Sequence, residues 1–261
     1  MALTNDQLRT IAPSIFATAP ALHVSEDYQF VNTAEVIEIL GKYGWVPIFA
    51  KQQKTRNVDR RELTKHTILL RHNELASTHN SLGGLLPTVR LVNSHDWACR
   101  LQVLYSLLRI ICSNGMFAAG ENFEAYQVKH NKVSEDLESI LSRFQSAKSK
   151  MFAIAEKWSE ITLTERQSFE LADIAASIRF GEKATKHQAL ALLECRRDSD
   201  DHDTLWHTFN RIQENATKGG PKANGRKIRE ITNIATEQTV NETLFAQTAK
   251  FADNVLQVSF D

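Results

Sequence analysis

The chain has 261 residues, 42% of them apolar and 24% charged, as is typical of a globular protein with a full hydrophobic core. Its 31 basic and 31 acidic side chains cancel, which argues against a protein that coats duplex DNA through bulk charge and against an acidic DNA mimic. The three cysteines lie far apart without Cys-x-x-Cys spacing, so we expect no disulfide, metal or cofactor. The N-terminus lacks the pattern of a leader peptide and the apolar runs are short, so we also expect no leader peptide, no membrane span and a cytoplasmic protein.

The first part of the chain predicts short helices followed by strands. A short helix is expected over 4–11, and Asn32 or Thr33 is placed to cap a second helix over 34–42. Apolar, β-prone runs separated by loops, including the Asn80–Gly84 turn, then predict three strands. The three runs cover 45–50, 63–71 and 85–93.

After the third run, the spacing predicts a long helix. Asp96 is placed to cap it, and apolar residues from Leu101 to Cys112 recur at three- and four-residue intervals. Ser113-Asn-Gly115 is a typical helix end. We therefore predict an α+β fold in which a small antiparallel sheet of about three to five strands packs on this helix as a β-β-β-α core over 1–130.

The remainder, 131–261, is predicted to be mainly helical. Apolar residues from Leu137 to Ile161 alternate by three and four, which indicates a helix packed lengthwise on a domain, with an oligomer contact as the alternative. Thr164-Glu-Arg-Gln167 has the pattern of a capping box that opens the next helix. Further helices are predicted over 186–197, 204–216 and 236–256, and a Gly- and Pro-rich loop over 217–229.

Two clusters of basic residues are candidate contacts to nucleic acid, because lysine and arginine displace counterions from phosphates. The first lies between the first two predicted strands, and the second lies in the glycine-rich loop, where the backbone can approach a ligand closely. A solvated charged loop is the alternative for each. The clusters contain Lys51, Lys54, Arg56, Arg60, Arg61 and Lys65, and Lys218, Lys222, Arg226, Lys227 and Arg229.

Enzymatic signals are weak. His95 followed by Asp96 allows a base oriented by a carboxylate, but a strand-end histidine beside a capping aspartate is the simpler interpretation. No nucleophile elbow, phosphate-binding loop or dinucleotide motif is present, so no catalytic residue is assigned. The aromatic residues at helix-like positions are predicted to be core rather than base-stacking platforms. They are Trp97, Tyr105, Trp206, Phe209 and Phe245.

Several segments resemble an uncharacterised family of phage, prophage and plasmid proteins that is described only as a domain of unknown function. The segment Arg109-Ile-Ile-Cys-Ser-Asn-Gly115 is the most specific, with Arg109, Cys112, Ser113, Asn114 and Gly115 interpreted as structural. Trp97 stands where many relatives have glycine. The other matching segments are Ala12-Pro-Ser-Ile-Phe-Ala17, Tyr28-Gln-Phe-Val-Asn-Thr33 followed by Val36-Ile37, Gly44-Trp45, the Leu-Arg of His66-Thr-Ile-Leu-Leu-Arg71, Asn93-Ser-His-Asp96, Lys218-Gly-Gly, Arg226-Lys-Ile-Arg229 and Asn241-Glu-Thr-Leu244.

The resemblance implies that the protein is encoded by a mobile genetic element and acts in the host cytoplasm. The family has no established activity to carry over. The predicted element order is also similar to that of single-strand annealing proteins of the Rad52 kind, although fold alone does not give function. We therefore expect a homo-oligomeric protein that binds and anneals single-stranded DNA in recombination. A factor that binds a host defence complex is the alternative, and a nuclease using His95 and Asp96 ranks third.

Overall fold

The computed structural model describes residues 2–22, 30–73, 82, 84–109, 114–117, 126–127 and 133–258. Cys112, Ser113 and most of the Asn80–Gly84 turn, which the sequence singled out, lie outside these residues. The chain divides into two compact units, which we describe separately. Unit 1 comprises Met1–Ser77, Leu86–Leu107 and Phe123–Lys148, and unit 2 comprises Thr78–Leu85, Leu108–Asn122 and Ser149–Asp261. The predicted division near residue 130 stays a prediction.

Unit 1 is built on an antiparallel sheet, as predicted. The strands lie in the order β1-β2-β3-β4, with the short β6 paired to β4. β2 and β3 are almost wholly buried, which explains why apolar residues occupy both faces of each strand. Their register places His66 opposite Asn93. The bounds are β1 Trp45–Gln52, β2 His66–His72, β3 Leu85–Asn93, β4 Gln102–Arg109 and β6 Tyr126–Gln127.

Two capped helices precede the sheet. α1, Asn5–Ile11, begins at a capping box made by Thr4 and Gln7. α2, Thr33–Lys42, begins at Asn32, whose side chain accepts from the backbone N–H groups at the helix start, as the sequence predicted. The short 3₁₀ turn Pro13–Phe16 lies between them, and it places Ser14 on His66 of β2.

The predicted helix after the third strand is wrong. Residues Gln102–Arg109 form the strand β4, and Asn114–Phe117 form the strand β5, so Asn114 and Gly115 do not end a helix. β4 is buried at nearly every position, and a run of consecutive apolar residues contains three- and four-residue spacings by chance. The α+β class, the small antiparallel sheet and the helical C-terminal half are nevertheless confirmed.

Unit 2 is mainly helical. The helices are α3 Val133–Glu160, whose first part belongs to unit 1, α4 Glu165–Phe180, α5 Lys186–Leu192, α6 Leu205–Lys218 and α7 Ile234–Val258. Its strands are β5 and a hairpin of β7 Lys222–Ala223 and β8 Arg226–Lys227. None of the described helices is long and apolar enough to cross a membrane.

An aromatic cluster forms the core of unit 2. The ring of Trp158 from α3 lies 5.1 Å from that of Phe209 in α6 and 5.3 Å from that of Phe245 in α7. Trp206 is also buried, as the sequence predicted for these residues. Met151, from the predicted apolar seam, is buried in the part of α3 that belongs to unit 2, and Ile161 just beyond the helix is buried as well, which agrees with packing of this part of the seam on unit 2.

Candidate nucleic-acid interface

The connection between β1 and β2 is anchored at its base. The backbone N–H of Gln53 donates to the carbonyl of Lys65 over 2.8 Å, which extends the ladder beyond the strands. Leu63 accepts from the backbone N–H of His95, also over 2.8 Å. These bonds hold the basic connection against the segment that follows β3, so its charged side chains project from a fixed base.

The outer part of this connection exposes most of the first basic cluster. Lys54, Arg56 and Arg61 are exposed, and Lys51, Arg60 and Lys65 are half-buried. Val58 at the 3₁₀ turn Val58–Arg60 is 80% exposed, so an apolar side chain also projects from this loop. The two acids of the loop, Asp59 and Glu62, leave a cationic excess.

Arg60 joins the loop to Trp97. Its Nη2 lies 3.0 Å from Oδ2 of Asp96, the residue that precedes Trp97. Trp97 is 53% exposed, so the prediction that it belongs to the core is wrong. Its φ of +67° also rules out the helical position from which that prediction was made. We call Lys54, Arg56, Arg60, Arg61 and Trp97 the platform.

The backbone at Trp97 favours glycine over tryptophan. A φ of +67° lies in the left-handed region, where a bulky side chain costs about 1–3 kcal/mol. More than half of this large apolar side chain remains in contact with water. The backbone conformation therefore does not favour tryptophan here, whereas a largely exposed ring next to the aspartate that holds Arg60 is suited to a ligand.

Behind the platform lies a fully buried polar cluster. Ser14 Oγ lies 2.8 Å from Nδ1 of His66, and Thr33 Oγ1 lies 2.9 Å from its Nε2. Asn93 donates to Thr33 over 3.0 Å. The ring of His95 lies 5.3 Å from that of His66, and both imidazoles are completely buried.

Burial separates both imidazoles of this cluster from solvent. Burial lowers the pKa of His66 to about 3 and that of His95 to about 4, so both rings are neutral near pH 7. Among the described residues, neither ring nitrogen of His95 makes a well-formed hydrogen bond, although the Ser14 backbone is close enough to raise its pKa slightly. The Asp96 carboxylate binds Arg60 and the N–H of Ala98, so it does not orient His95 as a base.

Unit 2 gathers the second basic cluster around a cavity of about 1390 Å³. Lys218, Arg226, Lys227 and Arg229 line it, whereas Lys222 is not among its described lining. Two arginines that sequence analysis missed, Arg179 and Arg196, also line it. We call Arg179, Arg196, Lys218, Arg226, Lys227 and Arg229 the basic concavity.

A hairpin forms one wall of the basic concavity, where a loop was predicted. Ala223 pairs with Arg226 across a two-residue turn in which Asn224 and Gly225 have φ values of +50° and +73°. Positive φ at both central positions is typical of a type I′ hairpin, for which Asn-Gly is the preferred sequence. That dipeptide was the available signal, because it separates a β-hairpin from an irregular loop.

The arginine of the most specific sequence motif is buried in unit 2. Arg109 Nε donates to the carbonyl of Leu82 over 3.0 Å, and its Nη2 contacts Oδ1 of Asp200. Each side chain of this ion pair is only 2% exposed. Arg197 lies 3.5 Å from the second oxygen of Asp200. Arg109 is therefore enclosed in the interior of unit 2, away from solvent.

Comparison with known proteins gives a family but no activity. The family described as "Domain of unknown function (DUF932)" matches residues 21–245. The UPF0380 protein YafZ of Escherichia coli K12 is 33% identical over 223 residues, covering 84% of this chain and 78% of that protein. The UPF0380 protein YfjQ of the same strain is 32% identical with the same coverage. No solved structure matches the chain.

Proposed function

The chain belongs to the DUF932 family, and we propose that it binds single-stranded DNA through the platform. The observation that supports this proposal best is Trp97, which is 53% exposed and adjoins the aspartate that fixes Arg60. Proteins that bind single strands combine cations along the phosphate backbone with aromatic rings on which bases stack. The ion pair between Arg60 and Asp96 holds one cation beside the residue that precedes Trp97, and Lys54, Arg56 and Arg61 belong to the loop that carries Arg60.

The same chemistry favours single strands over duplex DNA. A ring can stack only on a base that is not already stacked and paired within a double helix. The chain has no net charge, so it lacks the bulk positive field that would hold a duplex without base contacts. We therefore expect affinity to depend on Trp97 as well as on salt.

We extend the proposal to annealing-type recombination by a homo-oligomer of a mobile genetic element. The likeness in element order to annealing proteins required a helix after the third strand, and β4 occupies that place. This part of the proposal therefore depends on the platform alone. Light scattering with and without single-stranded DNA tests it, since a particle that neither exceeds a monomer nor grows on DNA would contradict assembly.

Replacing Trp97 with glycine separates binding from stability. Glycine relieves the strain at a φ of +67° but removes the buried half of the tryptophan, so we expect Trp97→Gly to stay folded, with a free energy of unfolding within roughly 2 kcal/mol of the wild type. Loss of stacking, worth about 1–3 kcal/mol per base, should weaken binding of an oligothymidylate about 5- to 150-fold. Fluorescence anisotropy of a labelled oligonucleotide measures the affinity.

Tyr43→Ala is the matched control. Tyr43 is an aromatic residue that is 41% exposed, and it precedes β1, whereas the platform lies beyond the other end of that strand. This variant should bind the oligonucleotide as the wild type does. Equal affinity of Trp97→Gly and the wild type would contradict the proposal, because a purely structural tryptophan changes stability without changing affinity.

A further inference from the structure

The basic concavity assembles cations from four places in the sequence. Arg179 lies in the last turn of α4, Arg196 follows α5, and Lys218 ends α6. The hairpin and the residues after it supply Arg226, Lys227 and Arg229. Among the described lining residues, Glu230 is the one acid. Like charges repel one another, so gathering these six around one open space raises the local positive potential. An anionic ligand would lower that potential.

Two of these arginines are held in place by the backbone around them. Arg179 Nε donates to the carbonyl of Ala216 over 2.8 Å, and its Nη2 donates to that of Arg229 over 3.0 Å. Arg196 Nη2 donates to the carbonyl of Gly219. A preorganised guanidinium loses little conformational freedom when it binds a phosphate, so such fixed arginines suit phosphate recognition.

The glycine pair at the end of α6 allows this close packing. An added Cβ at Gly219 would lie 2.3 Å from the carbonyl oxygen of Ile228, and one at Gly220 would lie 2.5 Å from Nη2 of Arg196. Both glycines have positive φ values, +63° and +118°. The pair thus lets the hairpin and Arg196 approach the helix end.

Nearby carboxylates compensate the charge of Arg179 less than they compensate that of Arg196. Arg196 lies 3.5 Å from the carboxylate of Glu214, which Arg197 also binds with two hydrogen bonds. Arg179 contacts carbonyl oxygens, and in the described part of the chain it has no carboxylate within ion-pair distance. Its partial burial lowers the pKa of the guanidinium, and a bound anion would offset that penalty.

We propose that the basic concavity is a second binding site, which takes consecutive phosphate groups of one ligand. Its volume of about 1390 Å³ exceeds the roughly 300–1,000 Å³ of ordinary small-molecule pockets, and its cations outnumber the charges of one phosphate. Phe180 supplies an aromatic ring, and Gln188 and Asn224 supply amides that can bind base edges. The inference stands apart from the platform, which lies in unit 1.

Calorimetric titration of the full chain with tripolyphosphate, ATP and an oligothymidylate tests the site directly. We expect tripolyphosphate to bind the wild type with an affinity that falls as salt rises. Arg226→Glu/Lys227→Glu reverses two exposed charges on the hairpin and should weaken tripolyphosphate binding at least tenfold. Circular dichroism shows whether the double variant is folded. If it is not, the single variant Lys227→Glu serves in its place, with a smaller expected loss of affinity for tripolyphosphate.

Lys183→Glu/Lys250→Glu is the control for net charge. It makes the same change of charge at two exposed positions of unit 2 outside the basic concavity, so its affinity for tripolyphosphate should stay at the wild-type value. Absence of tripolyphosphate binding to the wild type, or equal losses in the two double variants, would overturn the inference. Neither outcome would bear on the proposed binding of single-stranded DNA by the platform, because that proposal is tested by the oligonucleotide affinity of Trp97→Gly.

The three probes also identify the source of the phosphates. Tighter binding of the oligothymidylate than of ATP, in the Trp97→Gly background where the platform is weakened, assigns the site to a nucleic-acid strand. Equal or tighter binding of ATP assigns it to a free nucleoside triphosphate. Either result supports a site for consecutive phosphates.

Discussion

Asp200→Ala is expected to lower the free energy of unfolding by about 3–5 kcal/mol, the usual loss when one partner of a buried ion pair is removed. Arg109 and Asp200 are each 2% exposed, so the guanidinium left behind could not be hydrated without opening the interior. Urea unfolding followed by circular dichroism measures the loss. The effect should be large because the remaining charge is stranded, and the ion pair itself need not be strongly stabilising.

Two further variants distinguish this explanation from simple loss of an acid. Asp198→Ala removes an exposed carboxylate from the same 3₁₀ turn and should change the stability by less than about 1 kcal/mol. Arg109→Met/Asp200→Leu removes both charges and should recover much of the loss, since no charge is stranded. If Asp200→Ala were as stable as Asp198→Ala, the buried pair would not exist in solution.

Mild acid is expected to destabilise the protein strongly through His66 and His95. Both imidazoles are buried, and burial lowers their pKa values to about 3 and about 4, whereas an unfolded histidine titrates near 6.5. Below pH 6.5 these two imidazoles therefore bind protons in the unfolded chain but stay neutral in the folded chain. The contribution of the two neutral rings to the free energy of unfolding is fully present above pH 6.5. It is lost progressively as the pH falls towards their folded-state pKa values.

At pH 5 each of these histidines should have removed roughly 2 kcal/mol, or about 4 kcal/mol together, relative to pH 7.5. The loss at this pH depends on protonation of the unfolded chain, because both folded rings remain mostly neutral. Their mutual repulsion thus matters only in stronger acid. Between pH 7.5 and 8.5 the two rings should contribute no change.

Urea unfolding at pH 5.0, 6.0, 7.5 and 8.5 measures this dependence, with His95→Phe as the comparison. Phenylalanine keeps an aromatic ring beside Phe30 and His66 but cannot bind a proton, so the variant should lose about 2 kcal/mol less than the wild type between pH 7.5 and 5. Identical losses in both proteins would mean that the His95 ring is protonated or hydrated in the fold.

Helices with local signals were predictable from the sequence. Thr164 and Gln167 form the expected capping box, and Asn32 caps α2 as predicted. These motifs satisfy backbone N–H groups within a few residues, so their effect does not depend on distant partners. The strand Leu85–Asn93 was also predicted with its bounds, because the Asn80–Gly84 turn precedes it and apolar residues dominate its sequence.

β4 was not predictable in this way. Its sequence is apolar at consecutive positions because nearly every residue of the strand is buried, and such a run fits helical and extended periods equally well. Tertiary pairing decides between them, and that information lies elsewhere in the chain. Arg109 at its end shows the same dependence, since its partner Asp200 is 91 residues away.

Some features of the two candidate surfaces were likewise predictable from local sequence, whereas others depend on tertiary packing. Both basic clusters were visible as local charge, and the hairpin turn was visible as Asn224-Gly225. The contributions of Arg179 and Arg196 to the basic concavity depend on helix packing, which no local pattern reveals. Sequence spacing alone predicts neither the exposure of Trp97 nor its left-handed backbone, although its position in place of glycine was a usable hint.

The most direct test of the platform is the affinity of the wild-type chain for single-stranded and duplex DNA across a salt series. We expect the single strand to bind more tightly than a duplex of the same length. The logarithm of its affinity should fall linearly with the logarithm of salt, with a slope set by the phosphates that the platform neutralises, about −0.7 for each. Absence of binding at micromolar protein, affinity independent of salt, or preference for duplex would contradict the account.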